Sequence, residues 1–274
     1  MLDHPSPPPR VVEATLNYLK PIATTPRRYV EAPPPGEPRT NIEDEPRRVG
    51  IENGRGREGA FTLDRHGFAL IAAPSRAREL EDEAEIRARY IPEQEALLRW
   101  QLAASRVLIF DHTVRGAPQP GQPERMPVLR VHNDYTWTSA RQRVRDLLPA
   151  AEAAHVLAHR FAIVNVWRPI GAPALATPLA LCDGATIAEN DLVAAQLIYP
   201  DRVGETFLLR FNPTHRWYYF HAVRPEEALL IKCYDSATDR TRLAAHGAFE
   251  DPTTPADAPP RRSIELRSVV SWAP

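Results

Sequence analysis

The stretch RVHNDYT at Arg130–Thr136 decides how this chain is organised, because it places an imidazole and a carboxylate two positions apart. It follows the apolar run Met126–Leu129, which predicts a β-strand leading into the pair. In an extended chain, residues i and i+2 point to the same face, so His132 and Asp134 are expected to project together. A second histidine would complete a set of two histidines and one carboxylate, which is typical of non-haem Fe(II) oxygenases.

Two downstream histidines are candidates for the missing ligand. His221 ends the aromatic segment Trp217–Phe220, whereas His246 lies beyond a further strand and turn. Only His246 is followed, across the proline-rich loop at 251–260, by a strand rich in arginine, Arg261–Val270. The order of these features favours His246.

The polar side chains of the last strand are predicted to share one face. Period-two alternation separates two sets of residues. One face carries Arg262, Ile264 and Leu266, and the other carries Arg261, Ser263, Glu265 and Arg267. An arginine beside a serine in the mouth of a barrel is suited to binding a carboxylate through paired hydrogen bonds.

The middle of the chain favours an antiparallel β architecture with flanking helices. Short apolar segments separated by turn residues recur between residues 161 and 234, a rhythm typical of a jelly-roll sandwich or barrel. Helical spacing recurs at 77–104 and at 139–160. In the strand Phe161–Trp167, Asn165 lies between apolar neighbours, so it is either a satisfied core residue or a group that contacts a ligand.

The bulk composition predicts the partners and the compartment. Lys and Arg (34) nearly balance Asp and Glu (35), so the charge gives no reason to expect nucleic acid or an anionic membrane as a partner. Cys182 and Cys233 lie in apolar runs and are expected to be buried free thiols. The sequence shows no leader and no long apolar run, which predicts a cytoplasmic protein.

The distribution of the 29 prolines predicts the domain organisation. Residues 1–58 are rich in Pro, Arg and Glu and are predicted to form an extended arm that packs on the core. Residues 59–274 are predicted to form a single domain.

The order His-x-Asp, distant His and Arg-x-Ser resembles the Fe(II)/2-oxoglutarate-dependent oxygenases of double-stranded β-helix fold. Longer motifs are similar to the AsaB/CmcJ group, which includes fungal hydroxylase/desaturase-like proteins, gibberellin desaturase and a cephamycin-pathway protein. These motifs are Val131–Thr136, Ser139 with Arg143–Arg145, Val164–Pro169, Pro178–Asp183, Ile198–Pro200, Arg216–Tyr219, Leu230–Ser236, and His246 with Phe249–Pro255.

The resemblance implies a double-stranded β-helix enzyme that uses Fe(II), 2-oxoglutarate and O2 to hydroxylate or desaturate a small natural-product-like molecule. It implies that His132, Asp134 and His246 ligate the iron. It also implies that Arg261, assisted by Ser263, pairs with the distal carboxylate of 2-oxoglutarate, with Arg267 as a competing candidate. The remaining candidates for contact with cofactor or substrate are Asn165, Tyr135, Trp167 and Tyr219. A homodimer is compatible with this assignment.

Two other functions stay open at this point. The chain is alternatively a catalytically silent partner subunit of a biosynthetic enzyme that keeps the fold. It is alternatively a non-haem iron enzyme without 2-oxoglutarate, in which the arginines hold the substrate's own carboxylate.

Overall fold

The computed structural model describes residues 9–116 and 126–272, so the first eight residues of the predicted arm lie outside it. The strands of the described chain are β1 (Val11–Leu19), β2 (Arg27–Tyr29), β3 (Asp44–Asn53), β4 (Phe68–Ala72), β5 (Arg106–Arg115), β6 (His132–Asn133), β7 (Phe161–Pro169), β8 (Leu179–Cys182), β9 (Leu192–Ile198), β10 (Val203–Leu209), β11 (Trp217–Tyr219), β12 (Glu227–Asp235), β13 (His246–Ala248) and β14 (Ser263–Ser271).

Over residues 9–116 and 126–272 the strands form two sheets, and four α-helices flank them. The larger sheet has the order β1-β3-β11-β8-β13-β6-β10-β9-β2, and the smaller has the order β4-β12-β7-β14-β5. The helices are α1 (Glu83–Glu85), α2 (Ile91–Gln101), α3 (Trp137–Leu147) and α4 (Ala150–Ala158), and a π-helical turn at Ile86–Tyr90 joins α1 to α2. The predicted mainly β architecture with flanking helices is confirmed.

The smaller sheet is buried on both faces because its strands alternate two sets of apolar side chains. Phe161, Ile163 and Trp167 of β7 join one hydrophobic cluster, to which β8 and β12 also contribute. Ala162 and Val164 of β7 join a second cluster that contains residues of α2 and the π-helical turn. Each large apolar side chain buried in this way contributes about 1.5–3 kcal/mol to folding. The two faces of β7 therefore pack against different hydrophobic clusters.

The N-terminal segment supplies strands of the larger sheet. Strand β1 pairs with β3, and β3 pairs in parallel with β11, so that Ile51 lies opposite Trp217. The Trp217 indole N–H donates to the Tyr18 hydroxyl at 2.7 Å. The amide of Val131, which precedes His132, donates to the carbonyl of Asn17 at 2.9 Å. The division of the chain near residue 58 stays a prediction.

Two further sequence predictions concern single features of the described chain. Cys182 and Cys233 are both buried and free, as predicted. Within residues 9–116 and 126–272, no helix combines the length and the apolar character that crossing a bilayer requires.

Candidate active site

The structure brings His132, Asp134 and His246 together. One ligand atom from each side chain lies within 4.8 Å of the other two, which is the spacing that a single metal ion requires. Among the residues that the structure describes, His221 is not part of this group. This group is the set of two histidines and one carboxylate that the sequence predicts.

Direct strand pairing places the two imidazoles side by side. His246 of β13 lies opposite His132 of β6 in the antiparallel ladder, and the ring centroids are 4.7 Å apart. Between His132 and Asp134, the buried Asn133 points away from the group. Its amide nitrogen donates to the carbonyl of Cys233 at 2.9 Å, which fixes the end of β6 to the smaller sheet.

Backbone carbonyls orient both imidazoles. Nδ1–H of His132 donates to the Arg130 carbonyl at 2.8 Å, and Nδ1 of His246 faces the Ala244 carbonyl at 3.5 Å. This arrangement leaves Nε2 of each ring free to bind a metal. Burial, together with the nearby His132, lowers the pKa of His246. The neutral imidazole is the form that ligates metals.

Asp134 is held as a carboxylate. Burial raises its pKa, but Arg267, His132 and His246 outweigh burial and hold the pKa well below its usual range. Its Oδ1 lies 3.5 Å from Nε2 of His132. Asp134 does not cap the following helix α3, because Thr136 is its N-terminal cap.

The Thr136 cap fixes α3 immediately after the metal-binding group. Its hydroxyl oxygen accepts from the Ser139 amide at 3.0 Å, and the hydroxyl donates to Glu205 on β10 at 2.8 Å. The Thr136 amide in turn donates to the Ser139 hydroxyl at 2.9 Å. This reciprocal pair satisfies two amides that would otherwise have no partner in the helix.

Loss of this cap has a measurable cost. Replacing Thr136 by alanine is expected to lower the free energy of unfolding by about 1 kcal/mol, the usual cost of losing an N-terminal cap. Urea unfolding followed by far-UV circular dichroism measures the change. Thr138 is the matched control because it is exposed in the first turn of the same helix. A shift of equal size in Thr138→Ala would contradict the capping argument.

Each nitrogen of the Arg267 guanidinium donates to a protein group. Its Nε donates to Asp134 Oδ2 at 3.1 Å, and one terminal nitrogen donates to Glu265 at 2.6 Å. The other donates to Asp111 at 2.9 Å and to the Thr113 hydroxyl at 3.1 Å. Burial lowers the pKa of Arg267, but the carboxylates outweigh burial and hold it above its ordinary value.

Arg261 has a different environment from Arg267. Its side chain is buried, one terminal nitrogen donates to the Thr177 carbonyl, and its Nε has no partner among the described residues. Burial and the nearby Arg115 lower its pKa to about 10, so it remains a cation at neutral pH. The guanidinium carbon lies 5.4 Å from the centre of the Trp167 ring. A buried cation with a donor to spare is suited to an incoming carboxylate.

The alternation predicted for the last strand is confirmed. Arg262 is exposed and pairs with Glu81, whereas Arg261 is buried. Ile264 joins the cluster on the α2 side of the smaller sheet. The buried Ser263 lies opposite Pro169 of β7.

The other candidate residues occupy different places. Tyr135 and Trp167 are buried in the cluster between the sheets. Tyr219 belongs to another cluster, packs edge-on against Phe249 and has a buried hydroxyl without a described partner. Tyr219 and Trp167 therefore belong to different hydrophobic clusters. Asn165 donates from Nδ2 to Asp134 Oδ2 at 2.7 Å, and its Oδ1 is buried without a described partner.

Comparison with known proteins gives the family. A family model described as an oxidoreductase/YMDC permease-like domain matches residues 16–271. The chain is 32% identical to the Fe(II)/2-oxoglutarate-dependent dioxygenase nvfI of Aspergillus novofumigatus, covering 94% of this chain and 96% of that protein. It is 30% identical to the hydroxylase/desaturase efuI of Hormonema carpetanum, covering 95% of each. The chain belongs to the Fe(II)/2-oxoglutarate-dependent hydroxylase/desaturase family.

Solved structures and a further relative agree with this assignment. The iron and alpha-ketoglutarate-dependent endoperoxidase NvfI superposes with a TM-score of 0.88 at 29% identity, over 97% of this chain and 99% of that one. The hydroxylase/desaturase asaB of Aspergillus flavus is 31% identical over 94% of each chain. The family resemblance, the jelly-roll core and the oxygenase class predicted from the sequence are confirmed, and the cofactors of the family are those predicted.

Proposed function

We propose that this oxygenase holds Fe(II) through His132, Asp134 and His246 and hydroxylates or desaturates a small natural-product-like molecule. The observation that carries the proposal is the convergence of three ligand atoms within 4.8 Å, with both Nε2 atoms free and Asp134 held as a carboxylate. Bound iron supplies the activation of O2, driven by oxidative decarboxylation of 2-oxoglutarate. The protein's own part is to position the reactants and to exclude water.

Arg261 is proposed as the partner of the distal carboxylate of 2-oxoglutarate. The support is chemical, because Arg261 is buried, remains a cation and has an unpartnered Nε. Ser263 follows on the same face of β14 and would add a hydroxyl donor. Trp167, which lies against the Arg261 guanidinium, would form one apolar wall of the cosubstrate site.

The substrate is proposed to bind on the Tyr135 side of the metal group. Tyr135 directly follows Asp134 in the sequence, and its side chain lies in the cluster between the sheets. The relatives' names give three reaction outcomes to distinguish. Two relatives are named hydroxylase/desaturase, and the superposed structure is named an endoperoxidase. Hydroxylation adds one oxygen atom to the substrate, desaturation removes two hydrogen atoms, and endoperoxide formation adds both atoms of O2. High-resolution mass spectrometry of the product separates them.

The decisive experiment measures succinate and O2 consumption together. Purified protein with Fe(II), 2-oxoglutarate and a panel of small natural-product-like compounds is expected to form succinate faster with a true substrate than without one. O2 consumption without succinate would instead support a non-haem iron enzyme that does not use 2-oxoglutarate. Absence of both with every compound, together with retained binding of a partner enzyme, would support a silent subunit.

A cytoplasmic homodimer completes the proposal. The two buried free thiols are compatible with a reducing compartment. Trp100 on α2 is 79% exposed and is proposed as a contact between the two copies. Light scattering during size-exclusion chromatography gives the mass in solution, and the mass of a single chain would contradict the dimer.

A further inference from the structure

The two oxygens of the Asp134 carboxylate have different surroundings. Oδ2 accepts two hydrogen bonds, from Asn165 Nδ2 at 2.7 Å and from Arg267 Nε at 3.1 Å. Oδ1 faces Nε2 of His132 at 3.5 Å. Since a carboxylate oxygen with two strong donors is a poor further ligand, only Oδ1 is free to bind a metal.

We infer that Asn165 and Arg267 form a carboxylate clamp that makes Asp134 a one-oxygen ligand, and that Arg267 is a positioning residue with no direct contact to 2-oxoglutarate. This inference rests on the proposed metal site. It differs from the expectation, drawn from the sequence, that Arg267 competes with Arg261 for the cosubstrate.

Strand pairing builds the clamp from the smaller sheet. Arg267 of β14 lies directly opposite Asn165 of β7 on one side and Asp111 of β5 on the other. The sheet that carries the clamp therefore faces Asp134, which extends from β6 of the larger sheet. The clamp ties the metal group to the opposite wall of the barrel.

Every nitrogen of the Arg267 guanidinium already donates to a protein group. Besides Asp134, its guanidinium contacts Glu265, Asp111 and the Thr113 hydroxyl. A cosubstrate carboxylate at Arg267 would lie beside the buried Glu265 and the exposed Asp111, which like-charge repulsion opposes. Arg261 has no such carboxylate hydrogen-bonded to it among the described residues, and its Nε is unpartnered.

The orientation of Asn165 follows from the same geometry. If the amide were reversed, its oxygen would face Asp134 Oδ2, and two acceptors would meet without a proton between them. The nitrogen therefore points to Asp134, and the buried Oδ1 stays available as an acceptor inside the barrel. The nitrogen end of the Asn165 amide is thus satisfied within the protein, and contact of its oxygen end with a ligand stays a prediction.

The test separates metal affinity from cosubstrate affinity. Metal-free wild-type protein, Arg267→Gln and Asn165→Leu are titrated with Co(II), using the visible absorption of the bound ion. Both variants are expected to bind Co(II) roughly 10- to 100-fold more weakly, the usual effect of losing an outer partner of a metal ligand. The KM for 2-oxoglutarate is expected to change less than about threefold. Asn165→Leu also keeps the test valid if Arg267→Gln does not fold.

The outcomes distinguish this inference from the proposed function. Unchanged Co(II) affinity in a folded clamp variant would overturn the clamp, and a large rise in the KM for 2-oxoglutarate in Arg267→Gln would assign that arginine to the cosubstrate. Neither result would contradict the proposed metal site, provided that wild-type protein binds Co(II) and His246→Ala does not. If wild-type protein binds no Co(II), the proposed metal site itself is wrong. The exposed Arg262→Gln is the matched arginine control and is expected to match wild type in both measurements.

Discussion

Replacing His246 by alanine is expected to abolish Fe(II) binding and turnover. His246 is buried and supplies one of the three proposed protein ligands, directly opposite His132. Loss of an outer partner of a metal ligand already weakens binding about 10- to 100-fold, so loss of the ligand itself has a larger effect. Anaerobic titration with Fe(II) and 2-oxoglutarate, followed by the visible charge-transfer absorption of the chelate, measures the loss.

His221 provides the matched control for this prediction. It lies outside the group of converging ligand atoms, and its ring packs edge-on near Tyr219. His221→Ala is therefore expected to bind Fe(II) like wild type. Far-UV circular dichroism checks that both variants are folded. Loss of iron in His221→Ala together with its retention in His246→Ala would show that the wrong histidine has been chosen.

Replacing Arg261 by glutamine is expected to raise the KM for 2-oxoglutarate by about 30-fold to several-thousand-fold. Removing one partner of a buried, hydrogen-bonded charge pair costs about 2–5 kcal/mol, and about 1.4 kcal/mol corresponds to a factor of ten. Affinity for the metal alone is expected to stay near that of wild type, because Arg261 has no hydrogen bond to the metal group. Initial rates of succinate formation over a range of 2-oxoglutarate concentrations provide the measurement.

Arg262→Gln is the control for the cosubstrate prediction as well. Arg262 is adjacent in sequence, but it is exposed and paired with Glu81, so its loss is expected to leave the KM for 2-oxoglutarate unchanged. Equal effects of the two substitutions would mean that neither guanidinium has a specific role. A selective effect of Arg267→Gln would transfer the cosubstrate role to that residue.

The sequence predicts the parts of the site that depend on local periodicity. The i, i+2 spacing of His132 and Asp134 predicts a shared face, and the two groups do converge. Period-two alternation also places Arg261 and Arg262 on opposite faces of the chain, and likewise Phe161 and Ala162. The structure has both pairs on opposite faces. These features follow from strand geometry, in which side chains alternate with a period of two.

The carboxylate clamp could not be predicted because it depends on register between distant strands. Asn165 and Arg267 are separated by about a hundred residues, and nothing local indicates that they lie opposite each other. The cluster that Tyr219 joins depends likewise on how β11 packs, which its own aromatic pattern does not indicate. The Thr136–Ser139 pair, by contrast, has a local signature, because a hydroxyl residue directly before the helix is followed three positions later by a second one.

The hydrogen bond from the Val131 amide to Asn17 has a practical consequence for producing the enzyme. The residue next to a proposed iron ligand is bonded to a segment more than a hundred positions earlier in the chain. Expression vectors that begin after the proline-rich region would remove this support and leave the β11 edge without its neighbour β3. Recombinant protein should therefore retain the N-terminal strands, and proteolytic trimming there is expected to weaken iron loading before it affects the rest of the barrel.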